Sequence, residues 1–161
     1  MVKNENFSTG IKIYTDGSSL GNPGPGGWGV AILQNEKIIK ELGGFEKNTT
    51  NNRMELMAVI ETLKYLRKSD FDKMEVTIFA DSNYVLSGIT SWIYNWEKNG
   101  WRTANKKAVL NQDLWQELIA LIRSTETKIN WQKVKGHSGH IHNDRADEIA
   151  TNCASRQKRE Q

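Results

Sequence analysis

Two apolar runs of strand character each end on an aspartate, and this narrows the fold more than any other feature of the chain. Ile11-Lys12-Ile13-Tyr14-Thr15 runs into Asp16, and Val76-Thr77-Ile78-Phe79-Ala80 runs into Asp81. Ahead of the second run, an amphipathic helix is predicted from about Arg53 to Lys68, with Leu56, Val59, Ile60, Leu63 and Leu66 on one stripe. A strand reached through a helical crossover is expected to lie parallel to the first. Both aspartates then stand at carboxyl ends of strands, the edge where open α/β sheets bind ligands.

The rest of the chain completes this frame. Gly17 to Gly27 holds five of the thirteen glycines and both prolines, and is read as a turn-rich loop. Trp28 to Leu33 and Lys37 to Gly44 form a hairpin across Gln34-Asn35-Glu36, which gives three antiparallel strands. Helical signals recur at Tyr84-Val85-Leu86, from Trp92 to Lys98, and around Leu114, Leu118 and Leu121. Lys128 to Val134 reads as the last strand and Asn143 to about Arg159 as the last helix. The fold class is therefore α/β: a mixed five-stranded sheet, three strands antiparallel and two parallel, with helices on both faces. Residues 1–161 make one domain, and 1–10 and 156–161 are expected to be flexible ends.

Two further carboxylates fall on helices: Glu55 at the start of the first and Asp147 in the first turns of the last. Each acidic residue also has an ordinary reading. Asp16-Gly17 and Asp81-Ser82 are turn or cap signals. Glu55 follows Asn52 by three residues, nearly a capping box, and Asp147 shares its helix with Asp144 and Glu148. If the four converge, their repulsion calls for cations. Hard oxygen ligands suit Mg²⁺ or Mn²⁺. The chemistry this points to is metal-dependent phosphoryl transfer.

Composition sets outer limits. A hydrophobic share of 37% with 25% charged residues is that of an ordinary globule. No apolar run approaches the ~20 residues of a membrane span, and Met1-Val2-Lys3-Asn4-Glu5-Asn6 lacks a signal-peptide core. The lone Cys153 allows no internal disulfide, so a cytoplasmic protein is expected, with no membrane partner. The net charge of +3 is mild, but Trp92 to Val109 carries four cations, Lys98, Arg102, Lys106 and Lys107, against Glu97 alone. Trp92, Trp96 and Trp101 interleave with them. Basic charge with aromatic rings fits a nucleic-acid surface, although Trp92 and Trp96 would equally fill a core between helices. Trp101, beside Gly100 in a charged loop, is harder to read as core.

Several stretches together resemble bacterial type 1 ribonuclease H. They are Thr15-Asp16-Gly17-Ser18, Gly21 to Gly27, Thr49 to Leu56, Asp81-Ser82, Gly88-Ile89-Thr90, Trp131 to His137 and Arg145-Ala146-Asp147-Glu148, in order and at matching separations. The resemblance runs from roughly Ile11 to Ala150. It implies a monomeric endoribonuclease that hydrolyses the RNA strand of RNA–DNA hybrids and leaves 5′-phosphate and 3′-hydroxyl ends. It also implies that Asp16, Glu55, Asp81 and Asp147 bind metal and that His137 assists from a mobile loop. In a two-metal site the ions stand ~3.5–4 Å apart. Asp16 is the expected bridge, Glu55 and Asp81 complete the water-activating site, and Asp147 completes the leaving-group site.

The resemblance also implies substrate contacts. Asn22, Asn51 and Asn52 match positions near the RNA 2′-hydroxyls, which distinguish RNA from DNA. Asn22 equally suits a turn before Pro23, and Asn52 a helix cap. Thr50 and Asn111 match positions that contact DNA phosphates, and residues 92–109 match a basic handle. The chain departs from the pattern at Asn48, where arginine is frequent, at Asn83, where glutamine is frequent, and at Glu97 and Asn99 in the handle. Asn83 remains a candidate substrate contact. All three histidines, His137, His140 and His142, fall in one segment, but its glycines do not present zinc ligands at fixed spacing. His140 and His142 are expected at the surface.

Overall fold

The computed structural model describes residues 10–134 and 141–159. Five strands form one sheet: β1 (Ile11–Ser19), β2 (Gly24–Gln34), β3 (Lys37–Thr49), β4 (Glu75–Ala80) and β5 (Lys128–Lys133), in the order β3-β2-β1-β4-β5. β1–β2 and β2–β3 are antiparallel, and β1–β4 and β4–β5 are parallel, as the pattern predicts. The helices are α1 (Asn51–Lys68), α2 (Asn83–Ser87), α3 (Ile93–Lys98), α4 (Gln112–Ser124) and α5 (Ile141–Arg159). One π-helical turn, Gly88–Trp92, joins α2 to α3 and unites two helical signals that the sequence shows separately.

Alternation on the strands sorts the core into two layers. Ile11, Ile13, Val30, Ile32 and Ile78 face one side and join Leu56, Val59, Ile60 and Leu63 of α1 and Trp115 and Leu118 of α4. Tyr14, Ala31 and Leu33 face the other and meet Ala146 of α5. The rings of Tyr14 and Phe79 stack there at 4.6 Å. Helices therefore cover both faces.

The glycine-rich segment differs from its prediction as a loop. β1 continues through Ser19, and Gly17, Ser18 and Ser19 pair with Trp28, Gly27 and Gly26, so only residues 20–23 turn. The glycines are there for close approach. A Cβ on Gly27 would strike the Ala150 carbonyl, and one on Gly29 the Ala146 carbonyl, so α5 lies directly on the backbone of β2. The next hairpin turns tightly through Asn35 and Glu36, both with positive φ (55° and 64°), as a two-residue turn between right-twisted strands requires. At the carboxyl end, where fraying is expected from residue 156, α5 runs on to Arg159.

Candidate active site

Asp16 is not the end of its strand, as the sequence predicts, but lies inside the central strand β1, one residue past the end of the parallel pairing with β4; Asp81 follows the last residue of β4. Glu55 reaches them from the second turn of α1. A ligand oxygen from each of Asp16, Glu55 and Asp81 lies within 4.8 Å of the others. Asp16 is 6% exposed and Glu55 9%, so two of the three carboxylates are taken from water almost completely.

Gly17 is what lets α1 come so close. A Cβ there would collide with the Glu55 nitrogen and the Met54 carbonyl carbon. Its own N–H lies 2.8 Å from Asp16 Oδ1 and 2.6 Å from Glu55 Oε1, donating to both carboxyls. One amide dipole does not balance three acids. Burial, with repulsion from Asp81 and a hydrogen bond to Asp147 adding to it, pushes the Asp16 carboxyl up to about 7. Burial likewise raises Glu55 well above the usual carboxylate range, and its carboxyl and that of Asp16 are in hydrogen-bonding contact. A pair of buried acids that both hold their protons more tightly than usual is a site prepared for positive charge.

Asp147, on the exposed side of α5, stands apart from the tight trio but interacts with Asp16 and lines the same cleft. This cleft of about 370 Å³ is walled by Asp16, Glu55, Asp81 and Asp147, with Asn51 and Asn52 at its rim. Ser82, Asn143 and Asp144 also line it, though their sequence context alone gave them no role. For Asn143 a signal existed: it precedes Asp147 by one helical turn and so shares its face. His137 and His140 lie outside the described residues. His142, expected at the surface, is half-buried against Tyr14 with ring centroids 5.6 Å apart.

The asparagines at the rim are braced by one another. Asn22 Oδ1 accepts from the Asn51 backbone N–H at 2.9 Å, and Asn51 Oδ1 accepts from the Ser19 N–H at 2.7 Å. The 20–23 turn is thereby tied to the start of α1. Asn52 does not cap α1, contrary to one of its two expected roles. Thr50 does so: its extended backbone aims Oγ1 at the Arg53 N–H, 3.2 Å away, leaving Asn52 exposed in the first turn. Asn83 Oδ1 accepts from the Lys133 ammonium at 2.5 Å, and the same ammonium lies 3.5 Å from the Asp81 carbonyl oxygen.

A second polar group lies beyond Thr50. Arg53 donates to Asn111 Oδ1 at 3.2 Å and to both oxygens of Asp113, at 3.0 and 2.8 Å. Asn111, in left-handed conformation with φ of 61°, donates in turn to the Tyr84 hydroxyl at 3.0 Å. Arg53 had no role in the sequence reading. Its signal was its place three residues after Thr50, on the exposed start of α1.

Residues 92–109 run from the end of the π-helical turn through α3 into a segment closed by one isolated bridge. Trp92, Trp96 and Trp101 run in a row, with centroids 5.8 and 6.1 Å apart, and Trp96 also meets Trp115 of the core at 5.4 Å. Trp101, expected to be a loop residue free of the core, is half-buried and packs against it: its positive φ of 62° turns the ring inward after Gly100. Trp92 is 38% exposed. Beyond the row, Arg102 bridges to Ala108, and the Arg102 guanidinium holds the Lys106 carbonyl at 3.1 Å. Lys98, Arg102, Lys106 and Lys107 are all exposed. Glu97 does not dilute this charge at the tip: both its oxygens are taken by Arg123 of α4, at 2.5 and 2.6 Å.

Residues 8–155 match the RNase H family profile. The chain is 55% identical over 140 residues to the ribonuclease H of Afipia carboxidovorans, covering 87% of this chain and 89% of that one. It is 54% identical over the same length to the ribonuclease H of Francisella philomiragia, covering 88% of that protein. Among solved structures, LC9-RNase H1, described as a type 1 RNase H with the type 2 active-site motif, superimposes with a TM-score of 0.80. That likeness is at 32% identity and covers 91% of this chain and 72% of LC9-RNase H1. With a carboxylate trio gathered from β1, α1 and the end of β4 and likeness along nearly its whole length, the chain belongs to the ribonuclease H family.

Proposed function

We propose that this protein is an endoribonuclease that hydrolyses the RNA strand of RNA–DNA hybrids, leaving 5′-phosphate and 3′-hydroxyl ends. The carrying observation is the trio of Asp16, Glu55 and Asp81, two of them buried, with ligand atoms within 4.8 Å. An all-oxygen donor set with excess negative charge fits hard divalent cations, Mg²⁺ first and Mn²⁺ as its substitute. Asp16, Glu55, Asp81 and Asp147 would hold them. Bound there, the cations supply Lewis acidity at the scissile phosphate and lower the pKa of the attacking water.

The remaining work falls to the chain. The Gly17 N–H keeps the Asp16 and Glu55 carboxyls in register, so the donor set is assembled before any ligand arrives. Asn22 and Asn51, braced against each other, hold the rim on which Asn52 and its neighbours meet 2′-hydroxyls. Thr50, Arg53 and Asn111 offer hydroxyl, guanidinium and amide groups to a backbone phosphate. Lys98, Arg102, Lys106 and Lys107 add charge for the DNA strand, with Trp92 exposed beside them and Trp96 and Trp101 behind it as support. Asn83, held by Lys133, is a further contact at the cleft edge. His137 acts as a proton shuttle in this reading. All of these groups come from one chain, which supports a monomer. The free Cys153 suits the reducing cytoplasm, and among the described residues no helix is long and apolar enough to cross a membrane.

The test is cleavage of a labelled hybrid with and without Mg²⁺, against single-stranded RNA, double-stranded RNA and DNA duplex. Metal-dependent cutting confined to the RNA of the hybrid is expected. Equal cutting of the DNA duplex would overturn the substrate assignment.

A further inference from the structure

The acidic cleft contains a polar side chain to which the four-carboxylate reading gives no task. Asn143 stands in the first turn of α5, one turn ahead of Asp147, and lines the cleft with it. It is 4% exposed, and its Oδ1 is buried with no hydrogen-bond partner among the described residues. Folded proteins seldom leave a buried amide oxygen unpaired, because the group has lost its water and gained nothing. None of the carboxyls of this wall, Asp16, Glu55, Asp81 or Asp147, donates to it.

Among the described residues none supplies the missing donor, and the cleft that Asn143 lines is open to one from solvent or a bound group. In a cleft built for a hard cation, the donors at hand are the cation's own waters, whose protons point away from the metal. Divalent ions of this kind keep several of those waters when bound to protein. A carboxamide suits that position better than a fifth carboxylate, since it accepts a hydrogen bond without adding charge to a site already crowded with acids. A half-turn about its last torsion exchanges oxygen and NH₂ within the same space, so the oxygen can meet the cleft.

We infer that Asn143 is a positioning residue that accepts a hydrogen bond from a water of the hydrated divalent cation held by Asp16, Glu55 and Asp81. The inference rests on the proposed reading of that trio as a cation site. It names a group outside the carboxylate set that fixes where a metal-bound water points. Partners of this kind, one step removed from the metal, typically change affinity or activity by 10–100-fold when lost.

The test removes the acceptor while keeping the volume. Asn143→Leu should weaken Mg²⁺ binding roughly tenfold by calorimetry without nucleic acid, and slow single-turnover cleavage of the hybrid by a similar factor. KM for the hybrid should be unchanged. The melting temperature of the metal-free variant should hold or rise, since an unpaired buried oxygen is gone, while the extra stabilisation given by Mg²⁺ shrinks. A residue that merely supports the fold would do the reverse: it would lower the metal-free melting temperature and leave Mg²⁺ affinity alone, and that result overturns the inference. If the leucine variant does not fold, Asn143→Ala carries the same expectations for Mg²⁺ affinity and rate. Asn143→Asp, which keeps an acceptor, should bind Mg²⁺ at least as tightly as the unaltered protein. Asp16→Asn separates the two levels of the argument. If it binds Mg²⁺ normally, the trio is not the cation site. If it loses Mg²⁺ while Asn143→Leu retains it, only the role of Asn143 fails.

Discussion

Gly17 couples two requirements at one position, and both converge on the chemistry. Its missing side chain admits the backbone of α1, and its N–H holds the two carboxyls that this approach brings together. Gly17→Ala should therefore cost about 1–3 kcal/mol through overpacking and depress hybrid cleavage further than the stability loss explains. Urea unfolding beside single-turnover rates will check this; a stable, fully active alanine variant contradicts the account. The neighbouring Asp16 makes a prediction of opposite sign for stability. Asp16→Asn should abolish cleavage yet leave the metal-free protein as stable or more stable near neutral pH, because a buried charge is removed from a repelling trio. Thermal melts without metal, with a hybrid assay beside them, test both halves. At this scale much was legible in the sequence. Apolar runs marked Asp16 and Asp81, although β1 continues three residues past Asp16, and Glu55 was legible at the start of the predicted helix. Their convergence was not legible, because it depends on a helix-to-strand distance set by a glycine that reads locally as a turn.

Elements were legible where side-chain period fixes them and less so where packing overrides local preference. The parallel β1–β4 pair and the β2–β3 hairpin follow from apolar alternation and from the crossover. The segment Gly17 to Gly27 has the composition of a loop but is mostly paired strand, since its glycines serve the approach of α5 across β2. The Trp101 ring, unplaceable from a charged context, joins the aromatic row because a positive φ turns it inward. That row makes residues 92–109 a packed segment whose cations are exposed. Replacing Lys106 and Lys107 together by alanine should then weaken hybrid binding and reduce its salt slope by roughly two counterions, with turnover at saturating substrate little changed. Binding measured across a salt series decides it, and an unchanged slope would show these lysines to be bystanders. The Glu97–Arg123 pair, by contrast, is a tether between α3 and α4 rather than a loss of binding charge.

On the scale of the whole molecule, the cleft draws on both layers of the fold: α1 from one face, α5 from the other, and β1 and β4 from the sheet between. Charge in the cleft is therefore a property of global stability. In the folded state Asp16 holds its proton up to about 7, whereas in the unfolded chain it releases it near the ordinary carboxylate value. Between those values the native state binds more protons than the unfolded one, so stability must fall as pH rises through this window, by about 1.4 kcal/mol for each unit of separation. Glu55, raised for the same first cause, acts in the same direction. The surface carboxyls of Glu41 and Asp113, held below their usual range by Arg145 and Arg53, work oppositely, but only in more acid solution. They leave the window to Asp16 and Glu55. A divalent cation takes over the neutralising role of the proton. Saturating Mg²⁺ should accordingly stabilise the protein more at about pH 8 than at about pH 5, and flatten the decline seen without metal. In Asp16→Asn the part of that decline owed to Asp16 should vanish whether or not Mg²⁺ is present. Urea midpoints at the two pH values, with and without metal, give the four numbers required. Metal-free stability that rises between them would mean that the carboxylates are ionised and already balanced, and that the cleft has no need of a cation.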